Sequence, residues 1–188
     1  MWRLEAFLAI MTRIVHMKEA PMRDLSVIWT FDEETEGWLK ALSGALISPP
    51  VYPHITLGHY LWQEAPLLNY FSEMAPRFKP FRVQLGEIIL LNPQVLACLP
   101  KAPELIRFHR LFHARHDEHA DAFTSLSGGC YQPHITLASH EEGIDQALLQ
   151  AARARFSPRA GEVRGLKLSR QEADGSFTIL KEHSLIQA

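Results

Sequence analysis

From Asp24 onward, hydrophobic and polar positions fall into a regular sequence of elements. Leu25-Ser-Val-Ile-Trp-Thr-Phe31 is β-branched and aromatic and predicts a strand. Asp32 then caps a helix reaching to about Leu46, with Glu33, Glu34 and Glu36 in its first turns, where the helix dipole favours acids. Pro49-Pro50 ends this helix, and a strand opens around Pro53-His54-Ile55-Thr56-Leu57. A second helix, from about Glu64 to Met74, leads into a strand near Phe81–Leu91. The plan then begins again. Val95–Leu99 reads as a strand, and Pro103 opens a helix where its missing N–H costs nothing, with Leu105, Phe108, Leu111 and Phe112 on one stripe. A Ser/Gly-rich loop, Ser125–Gly129, leads to a strand at Pro133-His134-Ile135-Thr136-Leu137. A helix from about Glu141 to Arg155 and a strand over Glu162–Ser169 follow. A turn at Ala173-Asp174-Gly175 sets up a last strand from Phe177 to about Leu185.

The order strand–helix–strand–helix–strand thus occurs twice, and each copy carries the same pentapeptide, PHITL, at the same place. Two related halves pack most simply about a pseudo-twofold axis, with equivalent strands facing across a cleft. Residues 22–188 are read as a single bilobal domain made of these halves. Residues 1–21 stand apart: Leu4, Phe7, Leu8, Met11, Ile14 and Val15 follow the 3/4 spacing of an amphipathic helix, an N-terminal extension. The alternative for this segment is a later start of the chain at Met17 or Met22. Glu5, Arg13 and the lack of a small-residue cleavage site make it a poor signal peptide.

Composition narrows the function classes. With 47% hydrophobic residues in 188, the chain can bury a substantial core. A formal charge of −2 argues against a long nucleic-acid footprint. Two isolated cysteines, Cys98 and Cys130, exclude a Cys-x-x-Cys zinc site or a disulfide framework and suit a reducing cytoplasm. No apolar run approaches the roughly 20 residues a membrane span needs, so no membrane partner is expected.

The doubled pentapeptide carries the chemistry. Each copy offers one imidazole, which titrates near neutrality without help, and one hydroxyl two residues on. Residues i and i+2 of an extended segment share a face, so His54 projects with Thr56 and His134 with Thr136. Around an anion, the two threonines can donate to its oxygens while one histidine gives a proton and the other takes one. That is sufficient for in-line phosphoryl transfer without a metal. A strained cyclic phosphodiester needs the least help.

Two H-x-T-hydrophobic motifs eighty residues apart, each on a strand after a strand–helix unit, resemble the two-histidine (2H) phosphoesterase superfamily. The nearest branch is the bacterial group labelled 2′-5′ RNA ligase or cyclic phosphodiesterase-like. The resemblance spans Asp24 to the C-terminus, and both motifs are complete. It implies an α+β fold, bilobal, with antiparallel sheets lining a central cleft. It implies action on 2′,3′-cyclic phosphates or 2′-5′ linkages of nucleotides or RNA ends, with no metal and no cofactor. His54 and His134 would be catalytic and Thr56 and Thr136 would bind the phosphate; by analogy His54 would be the acid and His134 the base. Neither a protein partner nor oligomerisation is implied, so a monomer is expected. Residues 1–21 have no counterpart in the pattern, and the near-neutral charge favours a small nucleotide or an RNA end over long RNA. The alternative function is a non-catalytic nucleotide or RNA-end binding module on the same fold.

Other residues carry weaker signals. His109, His113, His116 and His119 follow Pro103; with Arg110 where H-E-x-x-H needs Glu, and Arg107 and Arg115 nearby, they are read as a solvated helix face rather than a metal grip. Tyr52 and Tyr131 sit just ahead of the motifs. Tyr131 is taken as a substrate-binding residue that stacks on a base, because the Gly128-Gly129 loop beside it can move. Trp29 lines the cleft or fills the core. By parity His59 faces away from the site, and His140 lies exposed past its strand. Gly58 marks a bulge or a close backbone approach by ligand.

Overall fold

The computed structural model describes residues 23–172 and 177–186, so the N-terminal helix predicted over 1–21 and the turn at 173–175 lie outside the described residues. Seven strands, β1 (Arg23–Phe31), β2 (Ile55–Trp62), β3 (Phe81–Asn92), β4 (Val95–Lys101), β5 (Ile135–Ser139), β6 (Arg159–Gln171) and β7 (Phe177–Ser184), form one antiparallel sheet. Among the described residues four α-helices accompany it: α1 (Glu33–Gly44), α2 (Glu64–Met74), α3 (Pro103–His113) and α4 (Gln146–Arg155).

The strand order is β2-β1-β6-β3-β4-β5, with β7 added on β6. Exchange β1 with β4, β2 with β5 and β3 with β6, and the same order is read backwards. The duplication seen in the sequence is therefore present in the hydrogen bonding, with a pseudo-twofold axis between β3 and β6. Helices obey the same exchange: α1 packs on β5 and α3 packs on β2, each against the motif strand of the opposite half.

Local causes fix the element ends. Asp32 caps α1 by accepting from the Thr35 amide at 2.9 Å and the Thr35 hydroxyl at 2.8 Å, and it also accepts from the Glu162 amide of β6 at 3.0 Å. Asp145 caps α4 through the Leu148 amide at 2.7 Å. That helix starts at Gln146 and not at Glu141. Gly143, at φ 100°, makes a turn there, and the Ile144 amide is tied to the Pro93 carbonyl at 2.8 Å.

Burial corrects two readings of α3. Leu111 is exposed, while the buried stripe is Leu105, Phe108, His109, Phe112 and His113, a wider i, i+3, i+4, i+7, i+8 face. His109 and His113 are therefore not on a solvated face. Trp29 is fully buried with its ring edge-on to Phe78 and Phe81, at centroid distances of 5.2 and 5.5 Å, so it fills the core. Cys98 is buried on β4, where burial pushes its thiol up to about 12, and Cys130 is exposed; both are free.

Candidate active site

Both motifs begin one residue ahead of their strands, after an X-Pro step that keeps residue X extended. The two histidines are held in the same way. His54 Nδ1 lies 2.9 Å from the Tyr52 carbonyl, and His134 Nδ1 lies 2.9 Å from the Gln132 carbonyl. A carbonyl can only accept, so each Nδ1 is the protonated nitrogen and each Nε2 is left to give or take a proton. Desolvation lowers the pKa of His54, partly offset by the Tyr52 carbonyl, and repulsion from His134 lowers it further.

Each motif strand then bulges at the same point. Thr56 pairs with Ile28 and Gly58 with Val27, so Leu57 is the extra residue; Thr136 pairs with Ala97 and Ala138 with Leu96, so Leu137 is its counterpart. Leu57 and Leu137 are buried, and Thr56 and Thr136 face the other way. The bulge beside Gly58 is the one its sequence suggested. The close approach there is made by the Tyr60 ring, which a Cβ on Gly58 would meet at 2.5 Å.

The bulge also overturns the parity reading of His59. One extra residue moves it to the side of Thr56, and both line a cavity of about 650 Å³. His134, Thr136 and Tyr131 belong to the same wall, together with Asp121 and Phe123 of the long α3–β5 connection. His54 stands outside that wall, half-buried, with the Tyr52 ring stacked beside it at 6.3 Å and 18°. His59 is held between Asp24, at 2.6 Å from Nε2, and Asp121, at 3.4 Å from Nδ1. His140 is exposed, as its position past the strand implied.

Tyr131 is tied down twice. Its hydroxyl donates to the Thr56 carbonyl at 2.9 Å, linking the two motifs, and one ring face lies on His109 at 3.6 Å and 3°. Burial raises its pKa. His109 in turn donates from Nε2 to the Thr124 carbonyl, and burial drops its pKa to about 4.

His113 lies between the Leu57 carbonyl, 3.0 Å from Nε2, and Asp117 Oδ1, 3.0 Å from Nδ1. Both groups only accept, so satisfying both takes a proton on each nitrogen. Burial opposes this more strongly, and the pKa is lowered. His116 and His119 instead pack around Trp62, at 4.8 and 4.3 Å. With Glu118 they bring one ligand atom each within 4.8 Å of one another, a set able to hold a cation outside the cavity wall.

Sequence reasoning missed the buried Ser43, which donates to the Leu137 carbonyl at 2.7 Å, the burial of His113, and the Asp121–Thr124 loop. For the first two a signal existed: each is a polar residue at a position that helical periodicity assigns to the core. The loop left none, because its place in the cavity depends on how it folds back over β2.

Residues 34–175 match the 2′-5′ RNA ligase superfamily, and the chain belongs to that family. By sequence alone no curated protein matches. Among solved structures the fold is similar to apo E. coli LigT, at 19% identity and TM-score 0.61, covering 90% of this chain and all (100%) of that one. E. coli LigT complexed with 3′-AMP gives 20% identity and TM-score 0.60 over the same shares, 90% and 100%. A Thermus thermophilus protein is similar at 20% identity and TM-score 0.62, covering 86% of this chain and 97% of that one.

Proposed function

We propose that residues 22–188 act as one catalytic domain, made of two halves, that opens 2′,3′-cyclic phosphates or cleaves 2′-5′ linkages on a nucleotide or RNA end. The observation that carries this reading is the doubled histidine geometry: two imidazoles, each with Nδ1 committed to a backbone carbonyl and Nε2 free, electrostatically coupled, beside a cavity that both motif threonines line. A pure binding module has no use for two such proton carriers. E. coli LigT was solved with 3′-AMP, which supports a nucleotide ligand here. The cavity volume falls in the range of small-molecule sites.

In the reaction, the neutral imidazole takes a proton from water as its oxygen bonds to phosphorus. The charged imidazole protonates the ribose oxygen as its bond to phosphorus breaks, leaving a phosphomonoester. Thr56 and Thr136 donate to the non-bridging oxygens, where charge builds. His54 is the proposed acid, by analogy with the two-histidine family. His134 is the base, and Tyr131 orders the substrate side of the cavity.

The test is incubation with a panel of 2′,3′-cyclic nucleotides and cyclic-phosphate-ended RNAs, with and without chelator. Turnover that survives the chelator is expected. Binding without any product would favour the non-catalytic module, and chelator-sensitive turnover would refute the mechanism.

A further inference from the structure

Two buried polar side chains sit at equivalent places in the two halves and take no part in the chemistry above. Ser43 is the eleventh residue of α1 and His113 the eleventh of α3. Each is 1% exposed. Ser43 Oγ donates to the Leu137 carbonyl at 2.7 Å, and His113 Nε2 lies 3.0 Å from the Leu57 carbonyl, to which it donates in the Nε2-protonated tautomer, with the Tyr60 hydroxyl 3.2 Å from the same nitrogen. Those two carbonyls belong to the extra residues of the two bulges.

A bulge residue is left out of the sheet ladder, so its carbonyl needs a partner from elsewhere. Here the partner comes each time from the opposite half: α1 holds the second motif strand, and α3 holds the first. Each held residue directly follows the motif threonine. Turning that carbonyl toward another donor rotates the adjoining peptide and swings the threonine hydroxyl with it. Small displacements of this kind are costly, since about 1 Å at a reacting centre can cost on the order of 10²-fold in rate. The Ser43 hydroxyl also accepts from the Val51 amide at 2.9 Å, three residues ahead of His54, so one side chain touches the approach to both motifs.

We propose that Ser43 and His113 are positioning residues, each holding the bulge carbonyl of the opposite half and thereby aiming Thr136 and Thr56 into the cleft. The kinetic form of this proposal rests on the phosphodiesterase reading; its binding form does not. The arrangement makes each half incomplete without the other at a second level, beyond the sharing of two histidines.

The experiment uses the full chain in double-mutant cycles, read by kcat and KM on a 2′,3′-cyclic nucleotide and by calorimetric affinity for inorganic phosphate. Ser43→Ala removes a single oxygen and is expected to lower kcat by roughly 10- to 100-fold with KM changed less than about threefold. In a Thr136→Ala background most of this cost should vanish, leaving only what the freed Val51 amide adds, whereas in a Thr56→Ala background it should persist in full. His113→Leu should show the mirror pattern, silent only with Thr56→Ala. His113→Gln, which keeps a donor for Leu57 while Asp117 retains the Leu126 and Ser127 amides, should recover most of the loss.

Equal cost of Ser43→Ala in the wild-type and Thr136→Ala backgrounds would overturn the proposal, as would full activity of Ser43→Ala. If the wild type turns over nothing on the panel, the phosphodiesterase reading fails and the phosphate cycle alone decides. Weakened phosphate binding that disappears with Thr136→Ala upholds positioning. Additive losses, or no phosphate binding by the wild type, refute it.

Discussion

The two halves of the molecule share a frame and differ, besides the added β7, chiefly in one connection. Between helix and motif strand, the first half uses ten residues, 45–54, and the second uses twenty-one, 114–134. Common to both halves are the histidine locked through Nδ1, the bulge after the threonine and the helix packed on the opposite motif strand. The long connection, without an equal in the first half, supplies Asp121, Phe123, Thr124 and Tyr131 to the cavity wall. The long connection folds back on β2, with the Asp121 amide donating to the His59 carbonyl at 2.8 Å, and Asp117 accepts from the Leu126 and Ser127 amides at 2.8 and 3.2 Å. Under the proposed function, the repeated part would handle the phosphate common to every substrate and the unrepeated part what distinguishes one substrate from another.

The first way to break this comparison is to remove a proton carrier from either side. His54→Ala or His134→Ala should each lower kcat about 10³- to 10⁴-fold, and the double variant should be little worse, because the pair works as a unit. Unequal losses, with one variant near wild type in steady-state assays, would show that only one half is catalytic. Next come the hydroxyls. Thr56→Ala and Thr136→Ala should each cost about 10²-fold in kcat, by analogy with the loss of one oxyanion donor, and the two values should be similar.

A third contrast concerns pH. His109 on α3 has Leu39 as its counterpart on α1, and both are buried. Unfolded His109 binds a proton near pH 6.5, whereas the folded ring resists until about 4. Its contribution is therefore present in full above pH 6.5 and lost as pH falls through that value toward 4, by on the order of 3 kcal/mol. Denaturant melts across this window should show the loss, and His109→Gln, which keeps a donor for Thr124, should reduce it, the remainder coming from the other histidines whose pKa burial lowers, His54 and His113. The smallest effect belongs to the cavity rim. Phe123 is 74% exposed and lines the cavity. Phe123→Ala should raise KM for a cyclic nucleotide roughly tenfold through lost base stacking while kcat stays near wild type.

Much of this was legible in the sequence because each half states the same pattern independently. The strand at Leu25–Phe31, the Asp32 cap and the helix from Glu64 follow from local periodicity and capping chemistry, and the structure places them there. His59 shows where such reading stops. A bulge inserts one residue and reverses parity for everything after it; Gly58 hinted at one, and the pairing with β1 fixes that it is there. The α3 histidines fail for a related reason: His109 and His113 look polar enough for solvent, yet the Thr124 and Leu57 carbonyls they meet come from segments distant in sequence. The roles proposed for His54, Thr56, His134 and Thr136 are what the alanine variants above test.

Phosphorus NMR of a 2′,3′-cyclic nucleotide incubated with chelator, comparing wild type, His54→Ala and His134→Ala between pH 5 and 8, tests the central claim most directly. The wild type should produce a monophosphate with a bell-shaped rate bounded by two histidine-like titrations that belong to the pair, and either variant should leave the cyclic signal intact. An unchanged cyclic signal with the wild type, or conversion at full rate by either variant, would contradict it.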